Sequence, residues 1–134
     1  MKKDIPFLPV KDVKVAVVQK DGETSDSGWF VYLLNTGSVT IENVMVTSRG
    51  YGFVDNEPRK TSVLRHFLGG MAPSESAIIE PVDPAVFALS NEYWVSYFIG
   101  SQVYDKKFIF VPGSIIDENL SYIPQPQRKG VLHE

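Results

Sequence analysis

The sequence contains no cysteine and only two histidines, His66 and His133. Without cysteine the chain can form neither disulfides nor cysteine-ligated metal sites, and it has no thiolate nucleophile. Two imidazoles are too few for an ordinary zinc site. We therefore expect no metal and no cofactor.

Long apolar runs and an excess of basic charge are also missing. No run approaches the roughly 20 apolar residues of a membrane span, and the N-terminal residues lack the apolar stretch of a signal peptide. We therefore expect a cytoplasmic protein that does not enter a membrane. The net charge of −3 and the pI near 5.4 argue against a strong general affinity for phosphate backbones, which usually requires a basic face.

The residues that are present have the composition of one β-rich domain. A chain of 134 residues is long enough to bury a core without covalent staples. Its 43% hydrophobic and 22% charged residues are typical of globular proteins. Valine and the aromatic residues cluster in short runs, which favours strands over helices.

Alternation of apolar and polar residues predicts seven strands, at residues 13–19, 29–35, 40–48, 60–68, 76–80, 92–99 and 103–111. Asp83 and Pro84 suit the start of a short helical turn over 83–89, and a second turn over 114–120 is an open alternative. Strands at these spacings are typical of a single antiparallel β-sandwich of the Ig-like type. The predicted fold class is therefore all-β.

One domain accounts for the whole pattern. We expect an extended N-terminal lead-in over residues 1–12, the sandwich domain over 13–112, and a C-terminal turn with a flexible tail over 113–134. Within the domain, residues 20–28 are predicted to be a polar loop. The lead-in and the tail are expected to lie outside the core.

Two hairpins are predicted inside the sandwich. The central one spans Trp29 to Val54, with two apolar runs joined at Asn35-Thr36-Gly37-Ser38. The other joins 92–99 to 103–111 at Gly100-Ser101. Both faces of this second hairpin carry aromatic residues, so the pattern leaves open which face is buried.

Two segments carry a resemblance to a known fold. YLLNTGSVTIENVMVTS, residues 32–48, resembles the second and third strands of bacterial Ig-like modules. LGGMAPSESAII, residues 68–79, resembles their glycine-rich turn and following strand. The resemblance implies a module that binds, spaces or assembles rather than catalyses, although a fold alone does not fix a function.

The whole chain also resembles a family of small uncharacterised bacterial proteins, some of which are linked to a phenylalanyl-tRNA synthetase chain. The chain is far too short for a synthetase catalytic domain and has no ATP-binding signature. That resemblance therefore implies an accessory domain related to a synthetase chain, and not aminoacylation.

A third resemblance concerns RNA binding. Arg49-Gly50-Tyr51-Gly52-Phe53-Val54 resembles the RNP1 motif of RNA-recognition motifs, and residues 31–35 resemble RNP2. In that family the motif aromatics stack on bases. Residues 36–48, between the two motifs, read as a turn and one strand and leave no room for the helix that the family places there. We therefore favour glycines that bend a strand over a base-stacking site.

Basic and aromatic residues in and near this motif form a candidate binding patch, made of Arg49, Tyr51, Phe53, Arg65 and His66. If the third and fourth strands are neighbours, the patch could bind an anion or a nucleic acid. The alternative, which we favour, is a solvated strand edge whose charges prevent aggregation. No serine or carboxylate is close to His66 in sequence, so we do not predict an enzyme.

The aromatic residues of the second hairpin give a candidate interface made of Tyr93, Trp94, Tyr97 and Tyr104. Part of this group must be core and cross-strand pairing, and the rest suits contact with another protein or with a second copy of the chain. The leading prediction is thus a non-catalytic protein-interaction or assembly module. Nucleic-acid or anion binding through Arg49–Phe53 is the alternative.

Overall fold

The computed structural model of the protein describes residues 7–8, 10–19 and 28–133. They form eleven strands and two short 3-10 helices, at Pro84–Ala88 and Asp117–Asn119. The strands are β1 (Phe7–Leu8), β2 (Val13–Gln19), β3 (Trp29–Asn35), β4 (Ile41–Val54), β5 (Glu57–Lys60), β6 (Leu64–Met71), β7 (Ser76–Val82), β8 (Ser90–Ile99), β9 (Gln102–Phe110), β10 (Ser121–Ile123) and β11 (Arg128–His133). The predicted all-β class is confirmed.

The strands divide into two sheets. Sheet A has the order β1-β9-β8-β4, and β5 and β6 pair with successive parts of β4. Sheet B has the order β10-β11-β2-β3-β7. Every pair is antiparallel except that of the two-residue β1 with β9.

The two sheets face each other across one core. The largest side chain in it without solvent exposure is Phe108, and valines from both sheets surround it: Val15, Val17 and Val31 from sheet B, and Val44, Val46 and Val95 from sheet A. Sheet B also buries its second face, where Ala16, Val18, Tyr32 and Leu34 are at most 9% exposed. This explains why β3 is apolar on both sides, as its sequence predicted.

The predicted central hairpin is wrong. β3 lies in sheet B and β4 in sheet A, so the turn after Asn35 carries the chain from one sheet to the other. The buried Asn35 amide fixes this corner by donating to the carbonyl oxygens of Val39, Met71 and Ala72 at 3.0, 3.1 and 3.2 Å. Its own oxygen accepts a hydrogen bond from the Gly37 amide at 3.1 Å. Asparagine and glycine mark a turn, but they do not specify which sheet the next strand joins.

The second predicted hairpin is confirmed. β8 and β9 pair on either side of a turn at Gly100, whose φ of 60° suits glycine. Tyr93 and Tyr97 face the core, opposite Phe108 and Tyr104 respectively, which answers the question of which side is buried.

The residues after Pro124 were expected to be a flexible tail, but they form a strand inside sheet B. β11 pairs with β10 on one side and with β2 on the other. Val131 pairs with Val17 and belongs to the core. Gly130 permits this close pairing, since a Cβ at this position would lie 2.6 Å from the Val17 carbonyl oxygen. Only two apolar residues mark this strand, so its pattern resembled that of a polar tail.

Several boundaries differ from the predicted ones. β4 continues to Val54, and the strand predicted at 60–68 is divided into β5 and β6. The helical turn after Asp83 is confirmed, with the Asp83 carboxylate accepting from the Ala85 amide at 2.9 Å. Residues 1–6 and 9 of the lead-in, and the predicted loop except Gly28, lie outside the described residues.

Candidate functional site

The outer face of sheet A, which is turned away from the core, carries four of the five residues of the candidate binding patch. Arg49, Tyr51 and Phe53 occupy alternate positions of β4, and Arg65 of β6 pairs with Thr47 beside them. Phe53 is 73% exposed. The bent exit of β4 therefore faces solvent and does not close the core.

His66 is separated from the other four. Consecutive residues of a strand point to opposite faces, so His66 faces inward while Arg65 faces outward. The Nε2 atom of His66 lies 2.8 Å from Oε1 of Glu80 on β7. Sequence adjacency suggested one patch, and the strand geometry divides it.

Arg49 is not a free cation. Its Nε donates to Oε2 of Glu92 at 3.1 Å, and its guanidinium lies 5.1 Å from the ring centre of Tyr51. The Tyr51 hydroxyl donates to Oε1 of the same carboxylate at 3.3 Å. Glu92 therefore neutralises Arg49 locally, whereas Arg65 has no ion-pair partner within the described part of the chain.

The candidate interface residues also separate by face. Tyr93 and Tyr97 are buried in the core, and the Tyr104 ring stacks on Tyr97 with centroids 5.2 Å apart and planes 12° apart. Trp94, between them in sequence, points outward and is 44% exposed. Of the four residues, Trp94 is the one that the structure presents on the outer face of sheet A.

Trp94 belongs to an exposed group that we term the aromatic patch, defined as Met45, Phe67 and Trp94. Met45 of β4 pairs with Phe67 of β6, and Thr47 of the same strand pairs with Trp94 of β8. Their exposed fractions are 44%, 67% and 44%. Sequence analysis did not single out Met45 or Phe67, although the alternation of β4 already placed Met45 opposite the buried valines.

The indole of Trp94 is fixed in place. Its Nε1 donates to Oδ2 of Asp105 at 2.9 Å, and the Lys107 ammonium lies 4.7 Å from the ring centre. A shallow groove of about 240 Å³ lies beside it, lined by Met45, Thr47, Trp94, Ser96 and Asp105. The groove is smaller than a typical small-molecule pocket, so its size suits a single side chain of a partner.

A second polar arrangement lies inside the sandwich, around Glu80. Oε1 accepts hydrogen bonds from the Ser48 hydroxyl at 2.7 Å and from His66 at 2.8 Å, and Oε2 accepts from the Tyr93 hydroxyl at 3.2 Å. Glu80 comes from sheet B and its three partners from sheet A. We term these four residues the Glu80 cluster. It connects the sheets by side chains alone.

The Glu80 cluster contains a serine, a histidine and a carboxylate, but their hydrogen bonds are not arranged as in a catalytic triad. An activated serine donates its proton to a histidine that the carboxylate orients. Here Ser48 and His66 both bond to the same oxygen of Glu80, and no bond joins them to each other. The contacts satisfy the carboxylate and stabilise the junction between the sheets.

No group of three or more metal-ligating side chains occurs among residues 7–8, 10–19 and 28–133. The same residues include no helix of the length and hydropathy needed to cross a membrane. No family model matches the chain, and no similar curated protein or solved structure was found. Its function therefore has to be inferred from its own geometry.

Proposed function

We propose that the protein is a non-catalytic interaction module that binds a protein partner through the aromatic patch. The observation that carries the proposal is the contiguous exposure of Met45, Phe67 and Trp94 across three neighbouring strands. Neighbouring strands lie about 5 Å apart, so the three side chains can contact a partner together. Exposed apolar groups of this kind mark interaction sites.

The composition of the surrounding face supports a protein partner. Aromatic residues, methionine and arginine are enriched where proteins meet, and Arg65 lies two residues before Phe67, on the same face of β6. The fixed Trp94 loses little conformational freedom on binding, which favours its use as an anchor.

The strand order supports the Ig-like architecture that the sequence predicted. Ig-type sandwiches place strands A, B and E in one sheet and G, F and C in the other. The orders β2-β3-β7 and β9-β8-β4 follow the same division. Interaction roles are common for such sandwiches, but this likeness is of fold alone. An accessory role beside a synthetase chain stays a prediction.

The test uses a photo-crosslinking amino acid at Thr47, in the centre of the patch, and a control at Tyr122, which is 62% exposed on β10. We expect adducts of defined mass from position 47 in native cells, identified by mass spectrometry and lost in Phe67→Ser. Ile78→Ser removes a 47% exposed side chain from sheet B and should leave the adducts unchanged. Adducts that persist in Phe67→Ser would contradict the proposal.

Self-association is distinguished by light scattering over a range of protein concentrations. If the partner is a second copy, the mass doubles with concentration in wild type and in Ile78→Ser, but not in Phe67→Ser. A monomer at every concentration, with no patch-dependent adduct, would exclude an interaction role for this face.

A second candidate function is binding of single-stranded nucleic acid at the other end of the same face. It is favoured by the outward position of Tyr51, by the exposure of Phe53 and by Arg65, which has no ion-pair partner among the described residues. Exposed aromatics and cations suit bases and phosphates. Titration of labelled single-stranded RNA at low salt tests it. A shift that weakens in Phe53→Ala and Arg65→Ala supports this function, and the absence of any shift ends it.

A further inference from the structure

A cavity of about 350 Å³ lies between the two sheets, at the end of the sandwich where Asn35 closes the corner. Val13 contributes one wall from sheet B, and Ile41 and Ile99 contribute the other from sheet A. The volume lies within the range of small-molecule sites. The cavity is separate from the aromatic patch, whose residues do not line it.

The walls of the cavity are formed before any ligand binds. Asn35 is 1% exposed and its amide makes four hydrogen bonds, so it cannot rearrange cheaply. At the mouth, the carbonyl oxygen of Asp12 accepts from the amide and the hydroxyl of Thr36 at 2.7 and 2.8 Å. Gly37 packs against Asp12 so closely that a Cβ on it would lie 2.8 Å from the Asp12 Cβ. Such a preorganised site binds without a large ordering cost.

The cavity contains a polar group that lacks a partner. Tyr97 is 3% exposed, and its hydroxyl makes no hydrogen bond to any described residue. The hydroxyl oxygen is not one of the buried polar atoms that lack a partner, so it is open to the cavity and can bond to a molecule that enters it. Burial, then Tyr104 and then Asp12 raise the pKa of Tyr97 to about 12. The hydroxyl therefore stays protonated at neutral pH and is available as a donor, close to the Asp12 carboxylate.

The charges at the mouth restrict what can enter. Lys11 and Asp12 are both exposed there, and neither forms an ion pair within the described residues. Their charges are opposite, so the mouth has no net attraction for an anion or a cation. A ligand with a single charge would be attracted by one of the two and repelled by the other, while its charge loses hydration on entering the apolar cavity.

We propose that this cavity binds a small neutral molecule with an apolar ring or branched chain and one hydroxyl or amide group. The apolar part would lie against Val13, Ile41 and Ile99. The polar group would accept a hydrogen bond from the Tyr97 hydroxyl and donate one to the Asp12 carboxylate. Alcohols, phenols and carboxamides combine donor and acceptor in this way.

The test is a titration followed by two-dimensional NMR, with 4-methylphenol as the probe and toluene as its matched control without the hydroxyl. We expect saturable shifts at the amides of Val13, Gly37 and Ile99, with toluene weaker by at least about fivefold. One neutral hydrogen bond contributes that factor, and 4-methylphenol can bond to both Tyr97 and Asp12. Benzoate and benzylamine, which carry single charges, should bind more weakly than 4-methylphenol.

Two variants test the residues. Tyr97→Phe keeps the ring and the stack on Tyr104, and we expect it to reduce the preference for 4-methylphenol over toluene by about fivefold, because only the bond to Asp12 is left. Val39→Trp alters a residue 47% exposed at the mouth, so it should block entry without disturbing the core. Phe67→Ser, in the aromatic patch, should leave the affinities for 4-methylphenol and for toluene unchanged.

Three results would overturn the proposal: no saturable shift at the cavity amides up to the solubility of the probe, equal affinity for toluene, or an unchanged preference in Tyr97→Phe. Because the cavity and the aromatic patch share no residue, failure here leaves the proposed interaction role intact. Failure of the crosslinking experiment likewise leaves the cavity proposal intact.

Discussion

Tyr93 and Tyr97 lie on the same face of β8, four residues apart, and are 2% and 3% exposed. The Tyr93 hydroxyl donates to Glu80 at 3.2 Å, whereas that of Tyr97 has no partner among the described residues. One tyrosine completes a hydrogen-bonded cluster at one end of the sandwich. The other leaves a donor free beside a cavity at the opposite end.

This difference between the two hydroxyls distinguishes the Glu80 cluster, a structural site, from the cavity, the proposed ligand site. At the Glu80 cluster every polar group has a partner, so a ligand would have to displace existing bonds. At the cavity the Tyr97 hydroxyl has no partner among the described residues and is open to solvent, so a ligand can accept from it without breaking a bond within the protein. A histidine and a serine suggest catalysis, but here they belong to a structural site, and the tyrosine open to the cavity is the group that can bond to a ligand.

The largest effect should come from Glu80→Gln. The amide keeps the size of the carboxylate but offers one accepting oxygen, so Ser48, His66 or Tyr93 loses its acceptor. We expect a loss of about 2–3 kcal/mol in the free energy of unfolding, measured by urea denaturation. Glu57→Gln is the control, because the Glu57 side chain is 73% exposed and its contact with Arg59 spans 3.8 Å. A loss no larger than that of the control would show that the cluster does not stabilise the junction.

A smaller effect is expected for Tyr93→Phe. This change removes one of the hydrogen bonds to Glu80 and leaves the ring packed against Phe110. The free energy of unfolding should fall by about 1 kcal/mol, again measured in urea at neutral pH. If the variant is as stable as wild type, the bond at 3.2 Å contributes nothing and the contrast with Tyr97 disappears.

The smallest effect at neutral pH is expected for Tyr97→Phe, within about 0.5 kcal/mol of wild type because no bond is lost. At alkaline pH the two proteins should diverge. The pKa of Tyr97 is raised from 10.0 to about 12, so its contribution to stability is complete below pH 10 and is lost as the pH rises towards 12. The Tyr97→Phe variant has no hydroxyl to ionise at this position, so it should not lose this stability. Urea midpoints at pH 9 and pH 11 test the prediction, and an equal decline in both proteins would contradict it.

Local alternation predicted most of the strands from the sequence. β2 and β3 have the predicted bounds, and β8 and β9 form the predicted hairpin, because each strand carries enough apolar residues to fix its period. The pattern failed where the deciding contact was distant. Asn35 bonds to Met71 and Ala72 at the corner, and no local signal shows that this asparagine ends a sheet.

The candidate sites show the same limit. Alternation correctly grouped Arg49, Tyr51 and Phe53 on one face of β4, but it did not show which face of a strand meets water. No local pattern indicated the Glu80 cluster either. Ser48 and His66 lie on two strands of sheet A and Glu80 lies on β7 of sheet B, so only the packing of the two sheets brings both side chains to Glu80.

The position of β11 has a consequence for the speed of folding. β11 pairs with β2, so that His133 lies opposite Val15 near the other end of the chain. Contacts between residues so far apart require a large loop to close before they contribute energy. The seam between β2 and β11 should therefore form late, after the β8–β9 hairpin. We expect refolding in the millisecond-to-second range typical of sandwiches rich in distant contacts.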